Sequence, residues 1–310
     1  MTPTLGRGRV ALGLLALVLA GCSIAFRLPP LSGTEALPRR VEVGGVPFVE
    51  QDRNYCGPAA LAMVLGWSGA PTRPDDLVDQ VYTPGREGTL RTDIVAAARR
   101  HGQLVLPVTT LSNVVAELAA GHPVLVFQNL GLAWIPRWHF AVAIGYDLEA
   151  STILLRSGTR ARHTESLRTF EATWERGERW AAVILPPSAL PASATEPAML
   201  QAASGLERAG RHADAAAAYA TLLRRWPASY AGLLGLGNAR YRLGDDAGAE
   251  EAFRRAIDGR PDEPAAWNNL AHVLARQKRR EDAIAAAETA LRLARGDLDT
   301  YRATLGEVSR

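Results

Sequence analysis

The chain has 310 residues, 47% of them hydrophobic and 22% charged, with a formal net charge of +3. That length and apolar content suffice for two domains, each with its own core. Basic residues are interleaved with acids, as in Arg176-Gly177-Glu178-Arg179 and Arg279-Arg280-Glu281-Asp282, so the small positive excess forms no stripe of the kind that binds nucleic acid.

The first element in chain order is an export signature. Arg7 and Arg9 lead into the apolar stretch Val10 to Ala20, which closes on Leu19-Ala20-Gly21-Cys22. A basic flank, an apolar core of about 11 residues and small residues before the cut describe a signal too short to span a membrane as a mature helix. Its ending resembles a bacterial lipoprotein lipobox. That resemblance implies a signal peptide over residues 1–21, cleavage before Cys22 and acylation of that cysteine. Several acyl chains, at ~0.8 kcal/mol per buried CH₂, hold a protein firmly where one chain binds marginally. Ser23 resembles the outer-membrane sorting pattern rather than the aspartate of inner-membrane retention. The expected location is the bacterial cell envelope, lipid-anchored at the outer membrane and facing the periplasm. Residues 22–40, with Pro29, Pro30 and Pro38, read as a tether. No other apolar stretch reaches spanning length.

With Cys22 acylated, Cys56 is the one remaining thiol in a chain sent to a compartment where cysteines pair. A leftover cysteine there is either an intermolecular disulfide or a reactive thiol. Its place favours the second: it starts Cys56-Gly57-Pro58-Ala59-Ala60-Leu61-Ala62-Met63-Val64-Leu65, a run of strong helix formers with proline in the first turn. Only a thiolate attacks a carbonyl, and a free cysteine with pKa ~8.5 is mostly protonated at neutral pH. The unpaired N–H groups and dipole of a helix start favour the anion. A nearby histidine stabilises it as imidazolium and later protonates the leaving amine. His139, which opens the apolar run His139-Phe140-Ala141-Val142, is the candidate. Gln51 can offer its side-chain N–H, with the backbone N–H of Cys56, to the oxyanion of the tetrahedral intermediate.

Periodicity predicts helices over 56–66, 74–82, 90–101 and 112–120, the last with Ser112 as N-cap. Strands follow at 124–128, 139–146 and 152–155, then a helix at 166–175 and a closing strand at 180–185. A cysteine on an early helix and a histidine on a later sheet suit a papain-like α+β domain, with the active site in the cleft between them. The other histidines, His101, His122, His163, His212 and His272, stand at no metal-ligand spacing, so neither a metal nor a cofactor is expected.

Val46-Pro47-Phe48, Gln51, Cys56-Gly57-Pro58-Ala59-Ala60-Leu61, His139-Phe140-Ala141-Val142 and Gly145-Tyr146-Asp147 together resemble the bacteriocin-processing cysteine peptidases that cut after double-glycine leaders. The likeness covers residues 41–185. It implies that Cys56 is the nucleophile, His139 its base and acid, and Gln51 an oxyanion donor. The family also carries an aspartate that orients the histidine. Here the corresponding stretch is Ile153-Leu154-Leu155-Arg156-Ser157-Gly158, which puts Ser157 near that place. A serine accepts the imidazole N–H without supplying a full charge. Asp147, the nearest acid, reads as part of a turn. Full-length transporters with this peptidase also carry an ATPase, but no Gly-x-x-x-x-Gly-Lys-Ser/Thr loop occurs here, so no ATP is expected.

Pro186-Pro187-Ser188-Ala189-Leu190-Pro191-Ala192-Ser193 begins a linker over residues 186–197. Beyond it, over residues 198–310, the chain repeats with a period of 34: Ala215, Ala249 and Ala283 share one position, Tyr219, Phe253 and Ala287 another, and Pro227 and Pro261 a third. Trp267 and Leu270 in the third copy, and Leu233, Leu236 and Gly237 in the second, fill first-helix positions. This pattern resembles tetratricopeptide repeats, three copies and a final helix around residues 298–308, which implies an all-α solenoid presenting a groove to a protein partner.

Two classes of function follow. One is a membrane-anchored cysteine peptidase that hydrolyses an amide in a peptide or protein, the repeats recruiting substrate or partner. The other is a non-catalytic peptide-binding or scaffold lipoprotein with a degenerate peptidase fold. Amidase or acyl-transfer chemistry on cell-wall material would use the same thiol.

Overall fold

The computed structural model describes residues 33–50, 55–86, 88–296 and 298–310. The signal peptide over residues 1–21, the lipidation position Cys22, most of the tether and the oxyanion candidate Gln51 lie outside the described residues.

Helix α1, Cys56–Trp67, is buried from Gly57 through Leu65. A helix apolar on every side belongs at the centre of a domain. Beside it pack α2 (Pro74–Val81) and α3 (Arg91–Arg100), it lies against strands β5 (Val124–Asn129) and β6 (Trp138–Asp147), and α4 (Leu111–Ala119) packs on the same two strands. Thr110, not Ser112, caps α4: its side chain accepts the N–H of Asn113 at 3.1 Å. The helix thus starts one residue earlier, at Leu111, which lies in the core and which the periodicity left outside.

The sheet is antiparallel and, among the described residues, seven-stranded. Its order is β4 (Leu104–Val108), β9 (Ala181–Leu185), β5, β6, β7 (Thr152–Ser157) and β8 (Arg160–Ser166), with the short β1 (Arg40–Glu42) also pairing with β6. A second small pair is formed by β2 (Tyr82–Thr83) and β3 (Gly88–Thr89). Helix α5, Leu167–Arg176, capped by Ser166, packs on β5.

Two longer strands escape the sequence reading, as do the short β1, β2 and β3. Residues 104–108 follow directly on a helix and include Pro107, a residue tolerated where a strand ends a sheet. Residues 160–166 alternate exposed and half-buried and are polar but for Ala161, so their pattern is that of a loop until pairing with β7 supplies the backbone partners. His163 therefore lies on a strand and not in a loop.

The repeats follow as α6 (Glu196–Arg208), α7 (His212–Arg225), α8 (Tyr230–Leu243), α9 (Asp246–Gly259), α10 (Pro264–Arg276) and α11 (Arg280–Leu293), closed by α12 (Leu298–Val308). The 34-residue alanines Ala215, Ala249 and Ala283 are wholly buried. Two glycines have a specific reason. A Cβ on Gly235 would lie 2.3 Å from the ring of Tyr219, and one on Gly237 2.4 Å from that of Phe253. Tyr219 on α7 and Phe253 on α9, each four residues after a repeat alanine, thus rest on the bare backbone of α8 between them, and their burial offsets the ~0.5–1 kcal/mol that each helical glycine costs relative to alanine.

The two parts are not beads on a slack string. Helix α6 packs against β4, the terminal strand, and against α3, burying Met199, Ala202 and Ala203, so one apolar core runs through both. The stretch between them is stapled by Glu117 on α4. Its fully buried carboxylate accepts from the N–H groups of Ala192 and Ser193, from Ser193 Oγ, and from His122 Nδ1 at 2.8 Å. Burial pushes the Glu117 carboxyl up, but these donors outweigh it and hold the group below the usual carboxylate range. The linker of residues 186–197 is thus fixed at its middle, and its last two residues already belong to α6.

Glu117→Ala leaves those donors buried without an acceptor. It is expected to destabilise the protein by ~1–3 kcal/mol in urea denaturation and to open residues 186–195 to limited proteolysis. Unchanged stability and unchanged cleavage would show that the staple bears no strain.

Candidate active site

Cys56 is the first residue of α1, preceded by Tyr55, whose ring stacks on Tyr82 at 5.1 Å. No side chain caps this helix start, so its N–H groups remain available to an anion. Gly57 has a steric reason the sequence did not reveal: a Cβ there would fall 2.3 Å from Thr89 Oγ1. Strand β3 seats directly on the first turn of the helix, and only glycine admits it.

The thiol is half-buried and unpaired. Three backbone N–H groups favour its anion, those of Phe140, Gly57 and Cys56 itself. The first matters most for geometry. Phe140 follows His139 on β6, so the sulfur lies against the backbone of the strand that carries the histidine. Burial is nevertheless the largest influence and pushes the Cys56 thiol up.

Along β6 the side chains alternate. Phe140 is buried with Phe127 and Trp180, and His139 projects from the opposite face of the strand. Its Nε2 lies 2.9 Å from the Oγ of Ser157, a buried residue at the end of β7. With the Nε2 proton assigned to that bond, Nδ1 carries a lone pair, and it has no hydrogen bond among the described residues. Burial, then the charges of Arg137 and His163, pull the His139 imidazole down to about 4. His163, on the otherwise polar β8, thereby enters the electrostatics of the site, as does Arg137.

Both desolvation effects point the same way. The resting pair is a neutral thiol beside a neutral imidazole, and not the thiolate–imidazolium pair that the position at a helix start suggested. Burial penalises both charged forms, and this outweighs the backbone donors. Among the described residues no hydrogen bond joins the sulfur to the ring. The arrangement suits a base that takes the thiol proton as a carbonyl is attacked, with the N–H of Cys56 at hand for the oxyanion.

Of the residues singled out in the sequence, the structure gathers Cys56, His139 and Ser157 at one place. Asp147 is elsewhere, eight residues along the same strand. It accepts from the N–H groups of Glu149 and Ala150 in the turn that ends β6, and Arg40 lies 3.9 Å away.

A helix that opens on cysteine, packed on an antiparallel sheet whose central strand carries histidine, is the α+β architecture of papain-like cysteine peptidases. The repeat helices add an all-α solenoid. The family comparison says the same: residues 43–181 match the Peptidase_C39 like family, and residues 200–264 and 247–297 match the tetratricopeptide repeat. The chain is thus a Peptidase_C39-like domain joined to tetratricopeptide repeats.

Solved structures were compared as well. A protein from Bacillus anthracis described as a C39-like peptidase is 18% identical, with 48% of this chain and 98% of that one covered and a TM-score of 0.42. The peptidase domain of Streptococcus ComA, a bifunctional ABC transporter, is 21% identical, covering 46% and 99%, with a TM-score of 0.38. A double glycine motif protease from an AMS/PCAT transporter, in complex with its leader peptide, is 18% identical, covering 47% and 92%, with a TM-score of 0.34. No curated protein matches the chain.

The pH dependence of stability follows from His139. The imidazole titrates near 6.5 when unfolded and at about 4 in the fold. Between those values the unfolded chain holds the extra proton and the native one does not, so this stability is present above pH 6.5 and is lost as pH falls towards 4. His139→Gln should remove that part of the acid sensitivity in urea titrations across the window. Alkylation of Cys56 by iodoacetamide at neutral pH should be slower than that of a model thiol; a faster rate would mean a resting thiolate.

Proposed function

We propose that this protein is a cysteine peptidase that hydrolyses an amide bond in a peptide or protein, with Cys56 as nucleophile and His139 as general base and then general acid. The observation that carries this reading is the contact of the Cys56 thiol with the N–H of Phe140, beside a histidine whose other nitrogen is engaged by Ser157. Nδ1 takes the thiol proton as the sulfur attacks the carbonyl carbon. The tetrahedral intermediate then collapses as the ring returns that proton to the leaving amine. Water releases the acyl group from sulfur by the same two transfers in reverse. Gln51 is assigned as an oxyanion donor on the strength of the sequence resemblance. The repeats recruit the substrate or a partner.

Ser157 favours a second reading, a peptide-binding protein with a degenerate peptidase fold, because a hydroxyl orients the ring without stabilising an imidazolium. The two readings are separated by variants. Peptide hydrolysis should vanish in Cys56→Ala and His139→Ala. It should fall no more than about tenfold in Ser157→Ala, the loss of one neutral hydrogen bond of ~0.5–1.5 kcal/mol. Ser157→Asp should raise the imidazole from about 4, moving the acid limb of the pH–rate profile upward. Hydrolysis that is absent from the wild type, and not awakened by Ser157→Asp, would leave the binding reading.

The same proposal places the protein at the cell envelope, held by lipid on Cys22. Its support is the basic flank, apolar core and small-residue ending of residues 1–22. Among the described residues no helix is long and apolar enough to cross a membrane. Cys22→Ser should move the protein from the membrane fraction to the soluble fraction of the native host; retention in the membrane fraction would remove the lipid anchor.

A further inference from the structure

Large apolar side chains left in water are few in this protein, and they are gathered. Of the nine exposed among the described residues, five stand between residues 130 and 138: Leu130, Leu132, Trp134, Ile135 and Trp138. Trp134 is the most open, at 76%. Scattered singly, such residues call for no explanation; five in one loop form a patch that marks an interaction surface.

The loop joins β5 to β6 and is held in one shape. Leu132 and Ile135 exchange both backbone hydrogen bonds, at 3.1 and 3.2 Å, which puts Ala133 and Trp134 on the turn between them. Nearer the sheet, the Leu130 N–H donates to the Arg137 carbonyl at 2.9 Å. The side chain of Asn129 ties the two legs together. Its Oδ1 accepts the N–H groups of Gly131 and Arg137, each at 2.9 Å, and its Nδ2 donates to the Leu132 carbonyl at 3.3 Å. Asn129 is itself buried, and its carbonyl accepts from Arg176. Position 131 requires glycine, because a Cβ there would lie 2.3 Å from the Ile135 carbonyl oxygen. With the backbone fixed beforehand, engaging the tip costs little ordering entropy.

The foot of the loop carries charge of one sign. Arg137 is exposed, and so is Arg160, which comes to the same end of the sheet because it pairs with Ser157, the partner of His139. The field of Arg160 reaches the part-buried carboxyl of Glu165, but among the described residues neither arginine forms a salt bridge. Glu178 is taken by Arg91, whose guanidinium lies 5.5 Å from the Phe127 ring centroid. A projecting apolar tip that bears tryptophan, with cations behind it, has the polarity of a bilayer interface: tryptophan settles at headgroup level, apolar side chains enter the acyl boundary, and basic residues meet anionic headgroups. A peptide is held in a concave site, and an exposed two-residue turn has no walls to close on one.

We propose that the loop of residues 130–137 inserts its tip into the surface of an anionic lipid bilayer and so holds the cleft of Cys56 and His139 at the membrane. Trp138, whose ring stacks on Phe127 at 5.2 Å, joins this loop directly to His139, so the cleft opens beside the bilayer. This contact belongs to the folded domain and depends on neither acylation of Cys22 nor hydrolysis. One tip of this size binds marginally, as a single acyl chain does, and does not by itself keep the Cys22→Ser protein in the membrane fraction.

The test uses the chain from residue 23 to residue 310, which keeps every described element and lacks the apolar stretch Val10 to Ala20 that would enter vesicles by itself. Saturable co-sedimentation with vesicles of phosphatidylcholine and phosphatidylglycerol in equal parts is expected, weakened at least about tenfold in Trp134→Ser/Ile135→Ser. Trp134→Phe/Ile135→Leu, which keeps the tip apolar, should retain most of the binding. Arg137→Gln/Arg160→Gln should weaken binding to these vesicles and leave binding to phosphatidylcholine alone unchanged. Lipid brominated on its acyl chains should quench the tryptophan fluorescence, and Trp134→Phe should lose part of that quenching. Leu243→Ser/Leu298→Ser, an exposed apolar pair on the repeats, should change binding by less than about twofold. Absence of binding to the mixed vesicles would overturn the proposal, as would equal weakening by the two Ser pairs. So would a tip variant that binds vesicles like its parent while cleaving a soluble peptide more slowly, since the loop would then be a substrate contact. The lipid on Cys22 is read separately, by fractionation of the intact protein, so each of the two membrane contacts can fail without the other.

Discussion

The contact between the start of α1 and strand β6 governs the chemistry of the molecule. Cys56 reaches the N–H of Phe140 because α1, apolar all round, is driven into the centre of the domain and against the sheet. Gly57 lets β3 close over the first turn, and Phe140 is pinned on the far side by Phe127 and Trp180. The burial that builds this contact also sets its electrostatics. It raises the thiol and lowers the imidazole, so the apolar packing that brings the pair together also keeps both partners uncharged at rest.

Ser157 has to be understood in that setting. A buried carboxylate beside His139 would hold an imidazolium in place, whereas a hydroxyl fixes the ring and its tautomer without paying the desolvation of a third charge. With Arg137 and His163 near the ring, the local field disfavours a second positive charge. The neutral hydroxyl and the neutral pair are thus consistent with one another. They describe a site in which charge develops only as a carbonyl is attacked, and in which the backbone donors around the sulfur are in place beforehand.

The repeats are coupled to this domain by packing and by one buried acid. Helix α6 continues the core past β4, and Glu117 ties down the Pro-rich stretch through three donors, from Ala192 and Ser193. A partner held on the repeats would therefore be presented to the peptidase domain by a fixed connection.

Much of this was legible in the chain itself, where the signal is local. Cys56 before Gly57-Pro58 and a run of helix formers marks a helix start. The 34-residue step marks the solenoid, and short continuous apolar runs mark β5 and β6. Strand β8 and the His163 it carries were not legible, because a polar strand earns its assignment only from its neighbour's hydrogen bonds. Nor was the Glu117 staple, whose partners lie 75 and 76 residues away. The sequence by itself determined which residues could act, since side-chain chemistry and helix and repeat periodicity are written in consecutive positions. Only the tertiary structure decided their charge states and partners. Desolvation, and the donors that reach a group from distant segments, exist only once the chain has closed around it.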